Sequence, residues 1–127
     1  MIRQKKILII DDDDGLRAVI KLSLKTVAGW EVITAASGKE GLILAEKLQP
    51  DAILLDMILP EMNGQEIWQK LAENPATKQI PVIFLTASDD LQEVKELLPG
   101  KRIKAIAKPF TPNELVSQIR KILYGKD

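Results

Sequence analysis

Ile7-Leu8-Ile9-Ile10-Asp11-Asp12 sets four aliphatic residues directly before the first two of four consecutive aspartates, Asp11 to Asp14. An unbroken aliphatic run cannot present alternate wet and dry faces, so it reads as a strand buried on both sides. Ala52–Leu55 and Val82–Leu85 repeat the pattern, and Ile103–Ala107 repeats it more weakly around Lys104. Glu31–Ala35 alternates instead. Between these runs lie residues at helical spacing, such as Leu16, Val19, Ile20, Leu24 and Val27, or Leu91, Val94, Leu97 and Leu98. Helix starts are marked by capping boxes at Ser37 to Glu40 and Thr111 to Glu114, with Pro112 at the favoured first helical position. Pro99-Gly100 predicts the end of the helix after Leu98. The order βαβαβαβαβα predicts an α/β fold, a doubly wound parallel sheet of five strands with five helices on its two faces. The continuous first, third and fourth strands belong in the centre and the interrupted second and fifth at the edges, compatible with the order 2-1-3-4-5. Such a sheet leaves a crevice at the carboxyl ends of strands one and three.

The chain of 127 residues suits a single domain over 1–127 and contains neither Cys nor His. That excludes disulfides, a thiolate nucleophile, an imidazole base and His or Cys metal ligation. Lys and Arg number 18 against 18 Asp and Glu, and no basic run occurs, so neither nucleic acid nor an anionic membrane is expected as the main partner. A small ion or another protein fits better. The basic start from Met1 to Lys6 precedes only four apolar residues, too few for a signal peptide. No apolar run approaches the about 18 residues of a membrane span. The expectation is a soluble, cytoplasmic protein.

The polar residues ending the strands are Asp11-Asp12, Asp56, Thr86 and Lys108. Carboxylates crowded at the mouth of a low-dielectric sheet must either gain protons or be neutralised by a cation. Oxygen ligands without His or Cys, with room for water and a ligand, favour Mg²⁺. Mg²⁺ points to phosphate chemistry, in which Asp56 can act as nucleophile, Lys108 supply positive charge and Thr86 donate from its hydroxyl. Each residue has a blander reading: a solvated acidic loop, a turn before Pro60, a strand-end hydroxyl, a surface lysine. Their joint placement favours the site. Asp14 is expected to cap the first helix and Asp13 to face solvent. Asn63-Gly64 reads as a turn opening the third helix, with no chemistry assigned. Ala105, Ile106, Val116 and Ile119 suit either a protein-binding face or core packing.

In four stretches the chain resembles the receiver domain of two-component response regulators, chemotaxis-regulator-like and single-domain. They are Ile7 to Asp12, the run Leu54-Leu55-Asp56-Met57-Ile58-Leu59-Pro60-Glu61-Met62-Asn63-Gly64, Leu85-Thr86-Ala87, and Lys108-Pro109-Phe110. The resemblance implies a flavodoxin-like fold and a phosphoacceptor signalling switch. Asp56 would take a phosphoryl group from a sensor histidine kinase or phosphotransfer protein. Asp12, Asp56 and the Ile58 carbonyl would hold Mg²⁺, with Asp11 acting mainly through water. Thr86 and Lys108 would contact the phosphoryl group, and the Lys108-Pro109 bond would be cis. The resemblance further implies a downstream effector protein, admits a phosphorylation-dependent homodimer, and entails no enzymatic turnover beyond self-catalysed phosphorylation and dephosphorylation.

The match departs at Ala105, where the family usually carries an aromatic ring that rotates on activation, and along Pro99–Lys104. By the same resemblance, Ile58 and Ser88 would occupy two positions that influence access of the hydrolytic water; an apolar Ile58 predicts slow self-dephosphorylation. A Mg²⁺-dependent phosphatase is disfavoured because no second carboxylate stands two positions after Asp56. A nucleotide or flavin binder lacks a glycine-rich phosphate loop after strand one. A degenerate receiver acting as a phosphorylation-independent scaffold is the alternative that Ala105 motivates.

Overall fold

The computed structural model describes residues 4–87, 92 and 104–125. Its strands are β1 (Lys6–Ile10), β2 (Glu31–Ala35), β3 (Ala52–Asp56), β4 (Val82–Ala87) and β5 (Lys104–Lys108). They form one parallel sheet in the order β2-β1-β3-β4-β5, with the continuous runs at the centre and the interrupted ones at the edges as the hydrophobic pattern predicts. Among the described residues there are four α-helices: α1 (Asp14–Ser23), α2 (Gly38–Leu48), α3 (Gly64–Glu73) and α4 (Pro112–Tyr124). Apart from residue 92, the helix expected around Leu91–Leu98, its Pro99-Gly100 stop and Ser88 lie outside the described residues.

The aliphatic run of β1 is unbroken because it feeds two cores. Ile7 and Ile9 pack into one layer with Ile20 of α1 and Leu115, Val116 and Ile119 of α4. Leu8 and Ile10 pack into the other, with Ala45 of α2 and Ile67 and Leu71 of α3. Each fully buried side chain of this size contributes about 1.5–3 kcal/mol relative to exposure. A polar replacement anywhere in the run therefore costs one layer or the other. Ile106, Val116 and Ile119 are buried in the first layer, which resolves their reading in favour of core packing over a protein-binding face.

Two helix starts differ in detail from expectation. Asp13, not Asp14, caps α1: its backbone is extended, and its carboxylate accepts from the Leu16 N–H at 3.1 Å. Asp14 is already the first helical residue, so its side chain is free to pair with Arg17 one turn on. Ser37 caps α2, but Glu40 Oε1 accepts from the N–H of Ala36. The box at Thr111 and Glu114 is reciprocal, with bonds of 3.0 and 3.1 Å. Leu24–Ala28 continues α1 as a wider π-helical turn that ends at Gly29 in the left-handed region, φ 71°. That turn leaves Val27 exposed and Leu24 in the core, so the apolar face predicted from a uniform helix is only partly buried. No helix among the described residues is long and apolar enough to cross a membrane.

Candidate functional site

Strand register brings the predicted polar residues to one rim. Asp56 stands opposite Leu85, and Thr86 opposite Ala107, one residue before Lys108. The Asp11 N–H bonds the Ala35 carbonyl at 3.1 Å, which carries the β1–β2 pairing one residue beyond β1 and leaves the Asp11 carboxyl at its end. Asp11, Asp56 and Thr86 are buried, whereas Asp12 is exposed. One oxygen from each of Asp11, Asp12 and Asp56 can be chosen so that all three lie within 4.8 Å of one another.

The charge balance of this cluster is incomplete. Asp11 Oδ1 accepts from the Asp13 N–H at 2.8 Å, while Asp11 Oδ2 is buried with no hydrogen-bond partner among the described residues. Asp56 Oδ1 accepts from the Ile58 N–H at 3.3 Å. Lys108 Nζ stands 3.6 Å from Asp56 Oδ1 and 4.0 Å from Asp11 Oδ2. Burial pushes the Asp56 carboxyl above its ordinary value, against the pull of Lys108 and the Ile58 hydrogen bond. Burial likewise raises Asp11, with the Asp13 N–H opposing and Asp56 adding repulsion. One ammonium cannot neutralise three carboxylates. A hard divalent cation suits an all-oxygen donor set with an unpartnered buried oxygen, so these residues fit Mg²⁺.

The rim opens into a cavity of about 630 Å³ whose walls include Asp56, Ile58, Thr86, Lys108 and Phe110. The Lys108-Pro109 peptide is cis, as the resemblance implied. The Ile58 side chain is exposed at the mouth. Ala105 is half-buried against the layer formed with α2 and α3, without the ring the family usually places there.

Two residues to which the sequence assigns no role in the site, Arg17 and Gly64, shape it. Arg17 Nη1 donates to the Asp11 main-chain carbonyl at 2.7 Å, and Nη2 pairs with the Asp14 carboxylate. The i, i+3 spacing of Asp14 and Arg17 signals the second contact, but nothing local signals the first. Gly64 lies against the loop after β3: a Cβ there would sit 2.8 Å from the Asp56 carbonyl oxygen and 2.9 Å from Met57 Cα. The Gly64 N–H also bonds the Met57 carbonyl at 2.8 Å, so the glycine ties the start of α3 to the backbone carrying Asp56.

The sheet order and the acidic crevice at its carboxyl edge define a doubly wound α/β domain of the receiver class. The chain belongs to the response regulator receiver domain family, which it matches over residues 7–120. It is 35% identical to the DNA-binding dual master transcriptional regulator RpaA of Synechocystis, over 96% of this chain and 50% of that protein. The chain thus spans about half the length of the curated relatives it matches. Among solved structures it resembles the Vibrio cholerae chemotaxis protein CheY4, with TM-score 0.81 and 31% identity over 95% of this chain and 100% of that one. It also resembles the receiver domain of a Pseudomonas aeruginosa sensor histidine kinase, with TM-score 0.83 and 29% identity over 95% of this chain and 98% of that one. In that neighbour a magnesium ion is coordinated in the active site cleft.

Proposed function

We propose that this receiver domain is a phosphorylation-dependent switch in which Asp56 is the phosphoacceptor. The observation that carries the reading is the position of Asp56 at the end of the central strand, 3.6 Å from Lys108 Nζ and within the three-carboxylate cluster. An Asp56 carboxylate oxygen forms the bond to phosphorus as the bond between phosphorus and the donor nitrogen of a partner histidine kinase breaks. Lys108 holds positive charge beside the incoming oxygens, and the Thr86 hydroxyl donates to one of them. Asp11, Asp12, Asp56 and the Ile58 carbonyl would hold Mg²⁺, which when bound supplies charge neutralisation at the phosphoryl oxygens. The domain turns over no external substrate in this reading; it catalyses its own phosphorylation and dephosphorylation.

The output is a change in protein binding, to an effector or to a second phosphorylated copy. Zero formal net charge supports a protein partner over nucleic acid for the receiver itself. The DNA-binding relative from Synechocystis is matched over only half its length, consistent with a receiver that governs an output delivered by other residues. Ala105 rules out signalling by a ring at that position, so the signal either travels by backbone shifts that start at Thr86 or is read by a partner at the site itself. The cytoplasm, the family's usual setting, is the location this reading supports.

Intact-mass analysis after incubation with acetyl phosphate, with and without Mg²⁺, tests the proposal. One phosphoryl group gained only with Mg²⁺, and lost in Asp56→Asn, is the expected result. No gain despite measurable Mg²⁺ binding overturns it in favour of a phosphorylation-independent scaffold.

A further inference from the structure

The four consecutive aspartates are held by a closed circuit of hydrogen bonds that runs through Arg17. The Asp13 N–H donates to Asp11 Oδ1 at 2.8 Å, the Arg17 N–H donates to the Asp13 carbonyl at 3.0 Å, and Arg17 Nη1 returns to the Asp11 carbonyl at 2.7 Å. Asp12 is the residue the circuit encloses. Its side chain is exposed, so its aim depends on the backbone conformation that Asp11 and Asp13 impose on either side. The other half of the guanidinium is anchored by Asp14, and the Arg17 side chain is only 16% exposed. The planar fork thus joins the end of β1 to the first turn of α1, a geometry that a flexible ammonium reproduces poorly.

We propose that Arg17 is a positioning residue for Mg²⁺: it touches none of the reacting atoms, but sets the backbone from which Asp11 and Asp12 present their oxygens. This rests on the metal-dependent reading above. Charge alone and positioning make opposite predictions. A nearby cation repels Mg²⁺, so deleting it should tighten binding if charge is all that matters. If Arg17 positions the ligands, deletion weakens binding despite relieving that repulsion, as removal of groups that orient metal ligands generally does.

Calorimetric titration of Mg²⁺ into the metal-free chain decides between them, with thermal unfolding recorded for each variant. Arg17→Ala is expected to weaken Mg²⁺ binding by about tenfold or more. Arg17→Lys, which keeps one donor but not the fork, should fall between it and wild type. Thr77→Ala, which removes the buried 2.8 Å hydrogen bond from the Thr77 hydroxyl to the Leu71 carbonyl between α3 and the start of β4, at the opposite edge of the sheet, controls for lost stability and should leave the affinity unchanged. If Arg17→Ala does not fold, Arg17→Gln carries the same comparison. Equal or tighter binding by the Ala or Gln variant overturns the proposal while leaving the metal site intact. Failure of the wild-type chain to bind Mg²⁺ removes the metal reading and this inference together.

Discussion

Ile58 is the single side chain on which the lifetime of the proposed phosphoryl group is expected to turn. It is 76% exposed at the cavity mouth, and its own N–H is engaged with Asp56 Oδ1. The apolar side chain offers an approaching water no hydrogen bond, which supports slow loss of the phosphoryl group. Ile58→Asn adds a donor and an acceptor there and is expected to speed dephosphorylation by up to about tenfold, the rate equivalent of one hydrogen bond of about 1.4 kcal/mol. Decay of the phosphorylated mass after removal of acetyl phosphate measures this; an unchanged rate would clear Ile58 of the role. At this scale the sequence was informative where chemistry depends on residue type at a strand end, as at Asp56, Thr86 and Lys108. It was less so along the run Asp11 to Asp14, where four identical side chains differ only in backbone conformation. Asp13 rather than Asp14 became the cap because Asp13 is the last residue with extended dihedrals.

Between elements, the approach of α3 to the end of β3 depends on the missing side chain of Gly64. The atoms that a Cβ would meet there are backbone, the Asp56 carbonyl oxygen at 2.8 Å and Met57 Cα at 2.9 Å, and backbone cannot rotate away. Gly64→Ala must therefore move α3 or the loop bearing Asp56. The expected cost is about 1–3 kcal/mol in urea unfolding, accompanied by slower phosphoryl uptake. At Gly38 and Gly41 the nearest atoms instead belong to the side chains of Ile67 and Ile10. Asn63-Gly64 was readable as the start of a helix, and Asn63 does cap α3 by accepting from the Glu66 N–H at 2.9 Å. The steric demand at Gly64 was not readable, because it comes from a strand end several residues earlier in the chain.

Over the whole molecule, the crevice couples stability to protons, and on the proposed reading it would couple it to metal as well. Asp11 and Asp56 have folded-state values raised above the ordinary 3.8, so within that window the folded chain holds more protons than the unfolded one. Their contribution to stability consequently falls as pH rises through the window and is least above it. Bound Mg²⁺ would act in the opposite sense, since deprotonated carboxylates would hold it. At a free concentration one hundred times its dissociation constant it should add about 2.7 kcal/mol at neutral pH. Thermal unfolding with Mg²⁺ and with chelator, across pH, should show a rise in Tm that shrinks on acidification; a pH-independent rise would contradict the assignment. The amino-acid order by itself determined which strands lie at the centre and which at the edges, compatible with the order found, and it determined the rim residues. Unbroken aliphatic runs report burial on two faces, and the polar residue ending each run must emerge at the carboxyl edge of a parallel sheet. Only the tertiary structure decided that Arg17 reaches back to Asp11, that Gly64 has no room for a Cβ, and that Ile106, Val116 and Ile119 belong to the core. Those facts depend on how closely separately formed elements approach one another, a distance that no local pattern of residues encodes.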